Sequence, residues 1–349
     1  MFLAIDLAII IEKLVLIVIV VMGSLVIAMY ATYAERKVAG LLQDRPGPNR
    51  AGPFGLLQPL ADGLKLFFKE EIVPNFSSKT LFIMGPALAM LTAIMTSAVI
   101  PWGDKVHFFN RDISLQIADI NIGILYVFGV VSMGVYGIMI GAWASNNKYS
   151  LMGGLRAASQ IISYELAMGI ALVSLLMLTG TLSLKEMVQQ QLNGHWNILK
   201  QPLGFLIFII CAFAECNRTP FDLAEAESEL IGGYHTEYSS MKLGFYLFAE
   251  YINMFISSAI MSTLYFGGYD MPFFNEAAHA SWGNWLALIG ISALMIKTVI
   301  FIFIFMWVRW TIPRFRYDQL MRLGWRILIP LALFNMLATG GGILYFTHH

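Results

Sequence analysis

Between positions 215 and 233 the chain concentrates residues that can hold and pass protons. Glu215-Cys216-Asn217-Arg218-Thr219-Pro220-Phe221-Asp222 leads into residues 223–231, which carry Glu225, Glu227 and Glu229. Thr219 followed by Pro220, with an acid at Asp222, has the pattern of a helix start: an N-cap, a first-turn proline and a capping-box acid. Gly232-Gly233 supplies the stop. A helix there stacks Asp222, Glu225 and Glu229 on one stripe, at spacings of three and four, and turns Glu227 elsewhere. Like charges and burial both raise carboxylate pKa values, so a sheltered stripe of this kind loads and releases protons near neutral pH. An acidic face bathed in water would have the same pattern.

Three further acids weigh against the solvated reading. Glu165, Glu215 and Glu250 fall at the ends of long apolar runs. Acids at membrane depth are costly and usually face the bundle interior along a functional path. Lys297, near the middle of another apolar run, is either the ion-pair partner of one of these acids or a switchable member of the same relay.

A second constellation is cationic. Glu35-Arg36-Lys37 is followed by Gln43-Asp44-Arg45-Pro46-Gly47-Pro48-Asn49-Arg50. The prolines and glycines here exclude regular structure and restrict the loop. It suits an anchor of the membrane surface or a rigid mount for arginines. Just beyond, residues 56–71 place Leu57, Leu60, Ala61, Leu64, Phe67 and Phe68 at helical spacing, with Gln58, Asp62, Lys65 and Lys69 on the other face. The segment is too polar to span a bilayer. It should lie at the interface, as a passive anchor or as the cover of a lateral opening. Arg309, Arg314, Arg316 and Asp318 suit docking of a soluble partner. Tyr234 and His235, beside Gly232-Gly233, read as ordinary loop residues more readily than as ligands. Cys211 and Cys216 form no metal-ligand motif, so electron chemistry must come from a partner.

The elements that position these residues follow from composition. Of 349 residues, 58% are hydrophobic and 13% charged, about half the charge of a soluble domain. That deficit points to a bilayer. Equal numbers of acids and bases, 22 each, give no footing for a nucleic-acid partner. Eight apolar stretches, near 14–32, 81–100, 122–143, 163–180, 203–216, 245–266, 285–308 and 327–346, are long enough or nearly so to cross about 30 Å of hydrocarbon. The fifth is the shortest, and residues 196–199 could extend it. The expected fold is all-α: a polytopic membrane bundle of about eight transmembrane helices plus the interfacial helix. No duplication relates the two halves, which argues against an inverted-repeat transporter.

Of the 22 basic residues, 16 fall in the loops at 33–80, between spans three and four, at 217–244 and at 309–326; five lie on the opposite side. The positive-inside rule then puts those loops in the cytoplasm and both termini outside. Glu165, Glu215 and Glu250 all come to the cytoplasmic end.

At these residues the chain resembles a known family. The Glu35–Lys37 and Gln43–Asn49 motifs, with residues 58–65, are similar to the first cytoplasmic loop of the H subunit of respiratory complex I, the proton-pumping NADH–quinone oxidoreductase. The acidic motif through Leu230, with Thr236-Glu237-Tyr238, is similar to that family's acidic loop. Trp307-Val308-Arg309, Pro313-Arg314 and residues 316–320 are similar to its last cytoplasmic loop. The similarity covers the chain from about residue 12 to its end.

The resemblance implies a multi-pass subunit of the cell inner membrane that joins membrane and peripheral arms. Quinone would enter between the first span, the interfacial helix and the sixth span. Glu35, Arg36, Arg45, Asp62 and Lys65 would line or support that passage. Asp222, Glu225, Glu227 and Glu229, with Glu165, Glu215, Glu250 and Lys297, would form the acidic link to proton movement. NADH, FMN and the iron–sulfur clusters would belong to partner subunits, with no cofactor bound by this chain alone. Some members of the family place a carboxylate in the third span; 122–143 has none here, so water or a neighbouring side chain would replace that step. The homologous membrane subunit of an energy-converting hydrogenase is the alternative, favoured less by the complete arginine loop and interfacial helix. A stand-alone transporter and a pure assembly scaffold are the remaining classes.

Overall fold

Hydrocarbon offers the backbone no hydrogen-bond partners, so apolar runs of this length resolve into helices that satisfy themselves. The computed structural model describes residues 7–108, 111–225, 227–271 and 283–348. Helix α1 (Leu7–Leu42) leads to a short amphipathic α2 (Gln58–Phe68) and then α3 (Lys79–Thr96). A two-stranded antiparallel hairpin follows, β1 (Lys105–Phe108) with β2 (Arg111–Ser114). Next come α4 (Gly123–Ala144), α5 (Lys148–Thr179), α6 (Leu184–Gln191), α7 (Asn197–Lys200) and α8 (Pro202–Glu215). The one-turn α9 (Glu227–Leu230) precedes α10 (Ser240–Tyr265), α11 (Asn284–Thr311), α12 (Tyr317–Arg322), a π-helical turn (Leu323–Leu328) and α13 (Ile329–His348).

Among the described residues, seven helical stretches are long and apolar enough to cross a membrane; α8 is shorter. This is the all-α membrane bundle that composition predicts, with the hairpin as an addition. The expected extension of the fifth span is not formed. α7 is a separate turn, broken from α8 at Gln201, just before a proline that lacks the N–H a helix interior needs. α8 compensates by lying inside the bundle, with Ile207, Phe208, Cys211, Ala212 and Ala214 buried.

Several helices outrun their apolar cores. α1 continues to Leu42 and so carries Glu35 and Arg36 on the helix. α5 begins at Lys148, which puts Arg156 and Gln160 on a span rather than in a loop. α11 carries Arg309 in its last turn.

α10 packs against α1, α2, α3 and α11, and α5 against α4, α8 and α13. The α3–α4 crossing is close because it is built on small residues. A Cβ on Gly85 would approach the Gly141 Cα at 2.7 Å. The room at Gly141 is used by two tyrosine hydroxyls, which reach the backbone of α3 and α4. Tyr246 donates to the Gly137 carbonyl at 3.1 Å, and Tyr238 to the carbonyls of Phe82 and Gly141 at 3.1 and 3.2 Å. These bonds fix α10, and the loop that enters it, against the first half of the bundle.

Candidate functional site

The acidic segment after α8 does not form the helix its capping pattern predicts. Residues 217–225 are turns, and only Glu227–Leu230 is helical. Tertiary contacts win over the local pattern. Phe221, Leu223 and Ala224 are buried, and the Gln160 amide on α5 donates to the carbonyls of Ala214 and Phe221 at 2.8 and 2.7 Å. Phe315 N–H takes the Pro220 carbonyl at 3.2 Å, docking the last loop onto the acidic one. Gly233, at φ +58°, turns the chain where a Cβ would strike the Ala224 carbonyl, a backbone state that favours glycine.

The predicted stripe is therefore dispersed. Glu229 is exposed and pairs with Arg156 at 2.6 Å. Asp222 is buried and pairs with Arg314 at 2.9 Å. Glu225 pairs with His235 at 3.3 Å. The side chain of Glu227 lies outside the described residues.

What forms instead is a three-dimensional cluster. Tyr234 Oη donates to Glu250 at 2.9 Å and reaches Glu225 at 3.5 Å, so one hydroxyl joins the two carboxyls. Glu215, at the end of α8, is near enough to Glu165 on α5 for their charges to interact. Ser132 on α4 donates to Glu165, so the span without a carboxylate contributes a hydroxyl at that place.

Beside this group lies a buried ion pair network. Glu35 accepts from Arg218 at 3.2 Å and from Tyr251 Oη at 2.8 Å, and pairs with Arg309 at 2.5 Å. The Arg218 guanidinium sits over the Tyr251 ring, 4.1 Å from its centroid. Burial works against the Arg218 charge, but Tyr251, Glu35 and Glu250 together hold it firmly cationic. Arg309 and Arg314, expected at a partner-docking surface, also pair within the chain, with Glu35 and Asp222, while Arg314 stays exposed. Arg316 and Asp318 remain exposed and pair with each other at 3.1 Å.

The loop groups divide in their protonation. Burial pushes Asp222 up, the Glu225 charge adds to it, and Arg314, Arg309 and Arg218 oppose it, leaving it at about 6. Burial also pushes Glu225 up. The His235 hydrogen bond and charge, with help from Glu250 and Arg218, overcome this and bring it down to about 2. Burial lowers His235, but the Glu225 contact prevails and raises it above its ordinary value.

The interfacial helix is oriented as its pattern requires. Leu60, Leu64, Phe67 and Phe68 are exposed on the outer side. The inner side closes over a cavity of about 340 Å³ between α1, α2 and α10, lined by Thr32, Arg36, Asp62, Lys65, Phe248 and Tyr251 among others. Arg36 pairs with Asp62 at 2.7 Å. Glu35 reaches this wall through Tyr251. Arg45 is exposed in its loop, away from the cavity wall.

Lys297 is not brought to the acids. Its ammonium donates to the carbonyls of Phe266, Gly268 and Asp270 at 2.5–2.8 Å and sits over Trp196. These carbonyls follow the C-terminal end of α10, roughly 24 Å along that helix from Glu250 at 1.5 Å per residue. Tyr251, Arg218, Tyr234 and His235 are the participants that sequence reasoning left out. The clue available for the last two was their place beside the glycine pair that stops the acidic segment. Among the described residues no group of three or more His, Cys, Asp or Glu is placed to hold a metal.

Comparison with known proteins gives one consistent result. The NADH dehydrogenase family matches residues 14–340. The H subunit of NADH-quinone oxidoreductase from Flavobacterium psychrophilum is 67% identical over 98% of this chain and 99% of its own length. The corresponding protein of Cytophaga hutchinsonii, the first of its numbered H subunits, is 64% identical over 96% of this chain and 97% of its own. That of Geobacter sulfurreducens is 50% identical over 89% of each.

Proposed function

The chain belongs to the NADH dehydrogenase family, as an H subunit of NADH-quinone oxidoreductase, and we propose that it forms the quinone access chamber and couples quinone reduction to proton translocation. One observation carries this reading: Tyr251 both lines the cavity under α2 and donates to Glu35, whose partner Arg218 interacts with Glu250 of the acid cluster. The outward apolar face of α2 sits against lipid, and its polar face looks onto the passage, so an isoprenoid tail can enter laterally from the bilayer. A change of charge in the chamber then reaches Glu250 and Glu225 through a few hydrogen-bonded groups, a local electrostatic event at a bistable cluster.

NADH oxidation belongs to other subunits of the complex. This chain works in the inner membrane beside the other membrane and peripheral subunits, with both termini on the periplasmic side. Exposed Arg316 and Asp318 face the peripheral partners.

The test is amide substitution in the assembled complex. Glu225→Gln and Glu250→Gln each lower quinone-dependent turnover and proton transport by about tenfold or more, whereas Glu229→Gln, exposed and at the rim, stays near normal. Normal turnover and proton stoichiometry in both inner variants would remove the coupling role.

A further inference from the structure

Two small cavities adjoin Glu215 inside the bundle, and one of them also reaches Glu250. The first, about 40 Å³, is bordered by Glu215, Asn217, Tyr234, Glu250 and Asn253 with apolar side chains of α3, α4 and α5. The second, also about 40 Å³, is bordered by Glu215, Cys216, Asn253, Ser257 and Thr96 together with apolar groups. Glu215, Cys216, Asn253 and Val131 border both. The two spaces therefore meet around Asn253, Glu215, Cys216 and Val131, and of these Asn253 carries the uncharged amide.

α10 carries this feature in its sequence. Glu250, Asn253 and Ser257 stand at i, i+3 and i+7, one face of a helix. They are only half-buried, while Ile252, Met254, Phe255 and Ile256 around them are buried. In the centre of a bundle, such exposure is exposure to an internal space. Ser257 and Cys216 border the same space. A water needs about 10–15 Å³ of such volume and two to four polar partners, so each cavity suits two or three waters.

We propose that Asn253 is a positioning residue of the proton relay, whose amide holds the hydrogen-bonded water that carries a proton between Glu250 and Glu215. This deepens the coupling reading and rests on it. The transfer is balanced within the chain. Protonated Glu250 gives its proton to the first water, that water passes one on, and the Glu215 carboxylate receives it. Glu250 is left ionised, and no electron moves. An amide supplies two donors and an acceptor that do not titrate at physiological pH. It can therefore orient water in either direction of transfer without trapping the proton. Ser257 and Thr96 border the deeper space on the side away from Glu250, with Phe128, Met168 and Phe208 closing it.

The test uses the assembled complex carrying Asn253→Leu, Asn253→Ala and Asn253→Ser. Leucine is close to asparagine in shape but has no polar group. It is expected to lower quinone-dependent turnover about tenfold with the KM for quinone unchanged, and to enlarge the solvent deuterium isotope effect. Serine, which keeps a hydroxyl and adds room for water, restores most of the rate. If the leucine variant fails to assemble, the alanine variant decides, since it cannot clash. Wild-type turnover and isotope effect in the leucine or alanine variant overturn the role of Asn253 while Glu250→Gln still impairs the enzyme. If Glu250→Gln is also silent, the coupling reading itself has failed. A rate that falls equally in the leucine, alanine and serine variants, with no change in isotope effect, makes Asn253 a packing residue only and likewise overturns the proposal.

Discussion

The decisive residues act in pairs whose burial sets their worth. Glu35 is 7% exposed and faces Arg218, 5% exposed; removing one partner of such a pair strands the other charge, at a cost of about 3–5 kcal/mol. Glu35→Gln should therefore lower the yield of assembled complex, read by native gel after detergent extraction. The surface pair Arg36–Asp62 behaves differently. Its arginine is half exposed, and exposed pairs contribute roughly 0–1 kcal/mol. Asp62→Asn is expected to leave the thermal midpoint unchanged and to raise the KM for quinone. A shifted midpoint with an unchanged KM would count against its place in the chamber wall.

The loop acids and His235 also fix a pH dependence. His235 is raised, so its pairing with Glu225 stabilises the fold fully below about 6.5, and that contribution fades as pH rises through the folded value. Asp222, pushed to about 6, binds its proton more tightly folded than unfolded, so rising pH between about 4 and 6 works against the fold. Glu225, held at about 2, contributes stability above its unfolded value that is lost only as pH falls toward 2. Thermal midpoints of the detergent-solubilised complex should then decline from pH 6 to pH 8. His235→Gln flattens that decline; an identical slope in the variant would disprove this assignment.

At the scale of elements, the site depends on how closely helices approach. Gly141 lies under the hydroxyls of Tyr238 and Tyr246, and a methyl there meets the Tyr246 oxygen. Gly141→Ala must displace α10 from α4 or break two hydrogen bonds, an overpacking cost of about 1–3 kcal/mol. The thermal midpoint should fall. Because α10 carries Glu250 and Tyr251, turnover should fall with it. The interfacial helix shows the opposite economy: among the described residues its outer apolar side chains, Leu60, Leu64, Phe67 and Phe68, stay exposed, so packing within the chain does not explain its pattern. That pattern was legible at once, since an amphipathic period needs only the sequence to be seen. The helix start read at Thr219 was not formed, because the buried Phe221 and the Gln160 amide claim the groups a helix would have used. Capping preferences amount to about 1 kcal/mol, less than burying one aromatic side chain.

For the whole molecule, ion pairs gather acids and arginines from distant parts of the chain in one network. The network at Glu35, Arg218, Asp222, Glu225, Glu250, Arg309 and Arg314 draws on α1, α10 and α11 and on two loops. An alkaline phosphatase fused to the C-terminus should be active in cells, and a fluorescent protein fused there dark; the reverse result would invert the orientation. Composition, span number and basic-residue asymmetry suffice to give the membrane class, the helical fold and the shared face of the loops, because transfer of apolar and charged groups is governed by residue type. Acids at the ends of spans and in the acidic loop singled out Glu215, Glu225 and Glu250, and the family resemblance singled out Glu35 and Asp62. Sequence reasoning could not tell Glu229, which ends in open contact with Arg156, from Glu225, which ends beneath Tyr234 and His235. Nor could it see that Lys297 turns to carbonyls beyond α10, far along that helix from Glu250. A carboxylate's role is set by which charges and hydroxyls lie within a few ångströms, and those neighbours come from spans far apart in the chain. Only the packing of the helices chooses them.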